Sequence, residues 1–329
     1  ENEIPDLVAI QTIFPVAESL RAKLTQVGTA DAQVIITAWS SLAACARLMC
    51  RTLKKPEGAE FEFCHSVLLF CARHAEPKPE PTDEENFKSP GWASSPRNEA
   101  AEGLPWLTLI SPSEDILGAI RTLVRDPVPS VRYLVTSHLF RVHGNAPEFF
   151  WEAAALVARE ESNKVVINAL CHSLFRVLFK NEQRAVDILK IIFNRSLQQH
   201  DESDLLDSFV TLLVGLALVR QNEWAVGVIG SFLKHPVKNA PLLRRASFTA
   251  LSYVTPDEFN DAENAVTVER GLAWVRASIE AAAQGIGELR VRDQLSTEDQ
   301  AHFRDMYCVI DEVVTRFYFK LFYREVKSA

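Results

Sequence analysis

The stretch Asp126–Val142, DPVPSVRYLVTSHLFRV, decides the fold class because its last four letters, Leu-Phe-Arg-Val, occur again at Leu174–Val177. The same 35-residue shift places the acidic turn residue Asp126 over Glu161. In both copies the acidic turn is followed by apolar residues at helical spacing. A unit of helix, turn and helix therefore recurs, and a period of this length is typical of stacked helical hairpins.

Two later helix pairs continue the pattern, Glu182–Arg195 with Ser203–Arg220 and Glu223–Lys234 with Leu242–Val254. One hairpin cannot bury its apolar face alone, so neighbouring hairpins must stack. In each copy of the tetrapeptide we expect the Leu and Phe to face the core between hairpins, and the Arg to point outward or to bond a turn carbonyl. The chain has only 12 Gly and 16 Pro and no long alternating apolar pattern. The predicted fold class is therefore all-α, an α-solenoid of helical hairpins.

The turn Asp126–Arg132 resembles that of a HEAT repeat, in which an acidic residue and often Pro precede Val-Arg at the start of the second helix. The resemblance covers about Ser111–Val254, and it implies HEAT-like hairpins in which the turn acid and the helix Arg pair along the stack. Leu243-Arg244 matches in part, whereas the turn at Glu161 lacks the Arg. An armadillo-like or irregular helical array is the alternative. The irregular helical pattern of the sequence also resembles the helical sensor or scaffold arms of large multidomain proteins such as the bacterial STAND-type NTPases.

Composition divides the chain into segments. Residues 1–75 predict an N-terminal helical segment, and residues 76–110 hold six prolines among acidic and small residues. We interpret 76–110 as a Pro-rich acidic linker or loop, because such a composition disfavours a packed core. Residues 111–255 carry the HEAT-like repeats, and residues 256–329 form a C-terminal helical segment. The chain opens at Glu1 without Met, so we expect a piece of a longer polypeptide or a processed start.

The last predicted helix, Thr297–Val326, has apolar residues around much of its circumference, including Phe319, Phe322 and Tyr323. A helix that is apolar on more than one side needs packing partners on more than one side. We therefore predict contact with another subunit, with a following domain or with both. A large terminal capping helix with some exposed aromatic residues is the alternative.

Charge and cysteine usage restrict the classes of partner. The net charge is −8, and nucleic-acid-binding proteins usually carry clustered Lys and Arg on one face. Nucleic acid is therefore an unlikely partner, although a local basic patch stays open. No apolar run is long enough for a membrane span. The six cysteines lie in apolar helical patterns, which favours a reduced, cytoplasmic setting.

The sequence shows no convincing catalytic, cofactor or metal site. Cys64 and Cys71 lie two helical turns apart, too far to share one zinc ion, so buried thiols are the better interpretation. Cys171 and His172 are adjacent on a helix and diverge by about 100°. Gly285-Ile286-Gly287 lacks the third glycine of a dinucleotide site and is interpreted as a turn.

We therefore expect a non-catalytic protein-binding or scaffolding array. Its inner face would be formed by the second helices of the hairpins, which carry the candidate partner-binding residues Arg132, His138, Arg141, His172, Arg176 and Arg244. Phe319, Phe322 and Tyr323 are further candidates. Trp92 and Trp106, in or beside the 76–110 segment, are expected either to hold this segment against the helices or to anchor a partner. The alternative function is nucleic-acid binding through a local basic concave face.

Overall fold

The computed structural model describes residues 7–25, 31–198, 207–254 and 262–328, and every regular element in these ranges is a helix. The prediction of an all-α fold is therefore confirmed. The α-helices are, in chain order, α1 (Leu7–Leu24), α2 (Ala32–Cys50), α3 (Ala59–Cys71), α4 (Asp83–Asn86), α5 (Pro96–Leu107), α6 (Glu114–Leu123), α7 (Pro129–His138), α8 (Pro147–Glu160), α9 (Lys164–Val177), α10 (Glu182–Gln198), α11 (Asp207–Leu218), α12 (Glu223–Lys234), α13 (Ala240–Ser252), α14 (Ala262–Arg290) and α15 (Thr297–Ser328). Short 3-10 turns cover Leu139–Gly144 and Leu178–Lys180.

The chain forms two compact units, Glu1–Ile192 and Phe193–Ala329. Their boundary lies inside α10 and inside the segment 111–255 that the sequence assigned to the repeats. The arrangement within each unit is compatible with helical repeats.

In the first unit, α2, α5, α7 and α9 pack in succession, each against the next. The helices α3, α6 and α8 pack against this row from the other side, α3 on α2 and α5, α6 on α5 and α7, and α8 on α9. Such pairing is what hairpins with one apolar face each must do to bury it. The row α2–α5–α7–α9 is called the inner row below.

Residues 76–110 were interpreted as a linker or loop, but part of this segment forms α5, which lies in the inner row. Ser95 caps this helix, its hydroxyl accepting from the Asn98 N–H at 3.4 Å, and Pro96 occupies the first helical turn. Proline is tolerated there because that N–H has no intrahelical acceptor. Leu104 and Leu107 are fully buried. The proline-rich composition therefore concealed a core helix.

The α5 helix also belongs to the 35-residue repeat. Shifting back from Leu139 by 35 residues gives Leu104-Pro105-Trp106-Leu107, a diverged copy that keeps the first Leu and an apolar fourth residue. The first residue is fully buried in each copy, at Leu104, Leu139 and Leu174, and the fourth is equally buried. The expectation that the Phe also faces the core is wrong. Phe140 is half-buried and Phe175 is 45% exposed, because they lie about 100° round the helix from the buried Leu.

Buried ion pairs join successive repeats. Arg97 of α5 contacts Asp126 through Nε at 3.0 Å, and Arg132 of α7 contacts Glu161 through Nε at 2.7 Å. These two arginines are 35 residues apart, as are the two acids, and all four are buried. Each acid also accepts a backbone N–H two residues later, from Val128 at 2.9 Å for Asp126. The four residues form an acid–arginine ladder, with each helix Arg paired to the acid of the next turn.

The second unit centres on α13, which packs against α11, α12, α14 and α15. On α13, Arg244 bridges two acids of α15, Asp305 at 3.2 Å and Glu312 at 2.8 Å. Gly285, interpreted from the sequence as part of a turn, lies inside α14. A Cβ there would collide with Met306 of α15, so this glycine serves the close approach of the two helices.

Among the described residues, α2 is long and apolar enough to cross a membrane by length and composition, and α11 with α12 would pass the same test as a pair bent by 114°. The α2 helix packs on α3 and α5 and buries Trp39, Leu42 and Met49 against them. A buried core helix passes the test as readily as a membrane span does.

The acid–arginine ladder predicts an asymmetry between buried and exposed pairs. Arg132→Leu leaves Glu161 buried without its partner, so we expect the first unit to lose about 3–5 kcal/mol of unfolding free energy. Arg125→Leu is the matched control, since Arg125 also pairs with an acid near the next turn, Glu160, but both side chains are about half exposed. That variant should unfold almost as the wild type does.

Urea unfolding followed by peptide-resolved hydrogen exchange would separate the first unit from the second. The double variant Arg132→Leu/Glu161→Gln, which leaves only the half-exposed Glu84 without its Arg partner and no unpaired buried charge at this rung, should recover part of the loss. Equal losses for Arg132→Leu and Arg125→Leu would contradict the ladder.

Candidate functional site

A cavity of about 640 Å³ opens on the inner row of the first unit. Its walls come from α5, α7 and α9, from the end of α2 and from the segment before α5. We call it the arginine–tryptophan groove, defined by Arg51, Trp106, Arg141 and Arg176. It lies on the face formed by the second helices of the hairpins.

Stacking positions the central arginine. The guanidinium carbon of Arg141 lies 3.4 Å from the centroid of the Trp106 ring and 4.6 Å from that of Phe140. Arg176 lies over the same Phe140 ring at 5.7 Å. Trp106, Arg141 and Arg176 are each 35 residues apart, so one repeat position supplies all three. Contact with an aromatic face holds a guanidinium group while leaving its edge N–H groups available for acceptors.

At one end of the groove the charges are compensated. Glu102 of α5 accepts from Arg47 at 2.8 Å and from Arg51 at 3.1 Å, and Arg47 also contacts Glu99 at 2.7 Å. These side chains are at most 17% exposed, so the pairs form a well-shielded network between α2 and α5. Gly103 next to Glu102 permits this packing, because a Cβ there would meet Leu68 at 2.9 Å.

At the other end the charges are not compensated. Within the described residues, Arg141 and Arg176 make neither an ion pair nor a hydrogen bond to a carboxylate. Burial, reinforced by the charges of Arg51 and Arg176, lowers the pKa of Arg141 to about 10. Two donors, Nε of Arg141 and Nε1 of Trp106, are buried without an acceptor in the described part of the chain. The groove therefore has spare positive charge and spare hydrogen-bond donors.

Two histidines line the same groove. His138 Nδ1 lies 3.0 Å from the Leu134 carbonyl oxygen and 3.0 Å from the Ser137 hydroxyl. Burial, assisted by Arg141 and Arg51, lowers the pKa of His138 below its usual range. The part of the His172 ring that is shielded from solvent, together with the charge of Arg176, lowers the pKa of His172 in the same direction. Both rings are therefore neutral at pH 7 and add no charge to the groove.

Aromatic side chains form the rim. Trp92, from the segment before α5, is 43% exposed and lies 5.6 Å from Tyr133 of α7, centroid to centroid. Phe87 supports Tyr133 from another side at 5.8 Å. The segment before α5 thus folds back onto the inner row and brings Trp92 to the cavity wall. Exposed aromatic surface beside charged donors is a common composition of protein-binding sites.

The structure brings four of the predicted site residues together, His138, Arg141, His172 and Arg176. Arg132 lies elsewhere, inside the acid–arginine ladder, where it also contacts Glu84 at 2.6 Å. Arg244 belongs to the second unit and is paired with α15. The remaining three, Phe319, Phe322 and Tyr323, lie beyond the residues whose side chains the structure describes.

Sequence reasoning missed Arg51, Glu102 and Tyr133 as groove residues. Shifting back from Arg141 by 35 residues leads to Trp106. This relation could have predicted that α5, and with it Glu102, lies on the inner row. No periodic signal leads to Arg51, because α2 stands in no 35-residue relation to α5. Tyr133 lies within α7 directly after Arg132, and which way it faces follows from the orientation of α7 in the fold.

The thiol candidates lie away from the groove. Cys171 is fully buried, and burial raises its pKa to about 12, whereas its neighbour His172 faces the groove. Cys64 and Cys71 are buried in α3. The described residues contain no group of His, Cys, Asp and Glu side chains arranged to hold a metal ion.

Comparison with protein-family models, with curated proteins and with solved structures gives no significant match for this chain. The class that the fold and the groove define is thus an all-α protein compatible with a helical-repeat architecture.

The lowered pKa of His138 predicts a pH dependence of stability. The unfolded chain takes up the proton near the ordinary value of 6.5, whereas the folded chain does so only at lower pH. The free energy of unfolding should therefore be full above about pH 6.5 and should fall as the pH drops through the lowered pKa. His74, His143 and His172 are shifted in the same direction and contribute to the decline.

His138→Gln keeps a donor for the Leu134 carbonyl and removes the titrating ring. We expect this variant to lose less stability than the wild type between about pH 7.5 and about pH 5.5, measured by urea unfolding of the first unit. An unchanged pH dependence in the variant would show that His138 titrates alike in both states.

Proposed function

We propose that this chain is a non-catalytic, protein-binding helical array of HEAT-like hairpins that presents the arginine–tryptophan groove to a segment of a partner protein. The observation that carries the proposal is the alignment of Trp106, Arg141 and Arg176 at one repeat position on the inner row. Aromatic and Arg side chains contribute most of the energy of many protein interfaces. Here they lie beside a cavity that no described residue fills.

The HEAT assignment draws support from the acid–arginine ladder, which has the pairing that the resemblance implies. We further propose that the chain works as one arm of a larger multidomain protein or assembly, as scaffold and sensor arms of STAND-type NTPases do. The exposed apolar residues Tyr307 and Val314 of α15, at 58% and 57%, support an additional contact of the second unit with another chain or domain.

Nucleic-acid binding is the second candidate, and a specific observation favours it. Arginines without carboxylate partners next to aromatic rings also suit phosphates and stacked bases. The net charge of −8 weighs against a long polyanion, because the field of the whole chain opposes its approach. Fluorescence anisotropy with a single-stranded RNA oligonucleotide over a series of salt concentrations tests this candidate. Salt-dependent binding that Arg141→Gln abolishes would favour it over the protein partner.

A random-peptide phage library selected on the intact chain tests the proposed function. We expect peptides to be enriched whose affinity falls about tenfold or more on Trp92→Ala, because an exposed aromatic anchor of the groove is removed. Phe70→Ala is the matched control, since Phe70 is also a half-exposed aromatic residue of the first unit but lies on α3 outside the groove. This control should bind the peptides as the wild type does. If no enriched peptide depends on Trp92 or Trp106, the proposal fails.

A further inference from the structure

The groove carries more positive charge than its own residues neutralise. Three arginines line it, Arg51, Arg141 and Arg176, and Glu102 is the single carboxylate among the lining residues that the structure describes. Glu102 is already shared between Arg51 and Arg47. Arg141 and Arg176 contact aromatic rings and no carboxylate directly, and Glu102 offsets the charge of Arg141 only in part, since the pKa of Arg141 is still lowered. An anionic group is therefore the natural complement of this end of the groove.

The unused donors point in the same direction. The Nε of Arg141 and the Nε1 of Trp106 are both buried, and neither has an acceptor in the described part of the chain. A buried donor without an acceptor is unfavourable, so both N–H groups add to the unsatisfied positive potential beside the groove, which a nearby anion would offset. Arg141 and Arg176 both lie over the Phe140 ring, at 4.6 and 5.7 Å, and the charge of Arg176 helps to lower the pKa of Arg141, so the two guanidinium groups are neighbours.

The surroundings select the kind of anion. Apolar and aromatic surface from Trp92, Tyr133 and Phe140 flanks the arginines. A free inorganic anion would leave that surface exposed, whereas a peptide can place an apolar side chain on it. A short acidic segment also meets little repulsion from the rest of the chain, because charges farther away than about 8–10 Å are screened at physiological salt.

We infer that the arginine–tryptophan groove binds an acidic peptide, with an Asp or Glu carboxylate of the partner seated at Arg141 and Arg176 and an adjacent apolar side chain against the aromatic rim. This inference rests on the proposed protein-binding function and names the chemistry of the partner. Recognition is by charge-assisted hydrogen bonds from two guanidinium groups held by ring stacking.

Two random-peptide libraries test the inference, one that includes Asp and Glu and one that excludes them. Both libraries are selected on the intact wild-type chain. We expect the peptides whose binding depends on Trp92 to come from the library that includes Asp and Glu. Each should lose about tenfold or more in affinity when its acid is changed to the corresponding amide, because a charge-assisted bond is lost.

The protein variants provide the reciprocal measurement. Arg176 is exposed, so the Arg176→Gln variant should fold normally, and Arg141→Gln removes the stacked guanidinium group. Both variants should bind the acidic peptides about tenfold more weakly than the wild type does. Neither variant should lose affinity for the amide versions of these peptides. Arg121→Gln is the matched control, because Arg121 also lies over an aromatic ring, Phe149 at 5.0 Å, but outside the groove. It should leave peptide affinity unchanged. Arg176→Glu should in addition prefer peptides whose acid is replaced by Lys.

The failures are distinguishable. Groove binders from the acid-free library with affinities equal to the acidic ones would overturn the inference and leave the proposed function standing. Absence of Trp92-dependent binders from both libraries would overturn both. An RNA oligonucleotide that displaces the acidic peptides, binds more tightly than they do and loses its affinity on Arg176→Gln would assign the groove to nucleic acid instead. A phosphoserine in place of the acid that binds more tightly would identify the phosphorylated side chain as the better anion.

Discussion

The buried pairing of turn acids with helix arginines is the constraint on which the first unit depends. Asp126 and Glu161 each bind a backbone N–H of their own turn and an Arg of the preceding repeat. A buried ion pair gains little over a packed apolar pair, but it tolerates few alternative geometries, because a displaced charge would stay buried and unpaired. The ladder therefore sets the offset between successive hairpins. That offset in turn brings Trp106, Arg141 and Arg176 onto one line.

The recurrence of one tetrapeptide has two separate physical causes. Its first and fourth residues are buried at every repeat, as at Leu139 and Val142, so their identity is dictated by packing. Its third residue faces the groove and is Trp in the first copy and Arg in the next two. No core requirement explains an Arg at such a position twice. Packing accounts for the buried first and fourth positions, and the third position lines the groove in all three copies.

The sequence predicted the all-α class and the two Leu-Phe-Arg-Val helices, because turn residues and helical spacing act locally at Asp126–Val142. It did not predict α5, because prolines and acids dominate the composition of 76–110, whereas what permits a helix there is where these residues stand within it. Pro96 sits in the first turn and Glu99 and Glu102 are paired with Arg47 across helices. The groove was predicted in part for the same reason. Residues in the repeat register could be found, whereas Arg51 reaches the groove only through tertiary packing.

The repeat geometry also limits how an acidic peptide can lie in the groove. Neighbouring packed helices are about 8–10 Å apart, and an extended chain rises about 3.3 Å per residue. Successive side chains of an extended peptide point to opposite faces, so the same-face residues two or four apart, about 7 or 13 Å along the peptide, bracket one step along the inner row. Because Arg141 stacks on Trp106 at 3.4 Å, an acid seated at Arg141 and Arg176 already lies beside that ring. The exposed aromatic rim of Trp92 and Tyr133 then remains for an apolar side chain on the same face of the peptide, two residues from the acid. The alternation of side chains along an extended peptide thus becomes a spacing rule for the partner sequence.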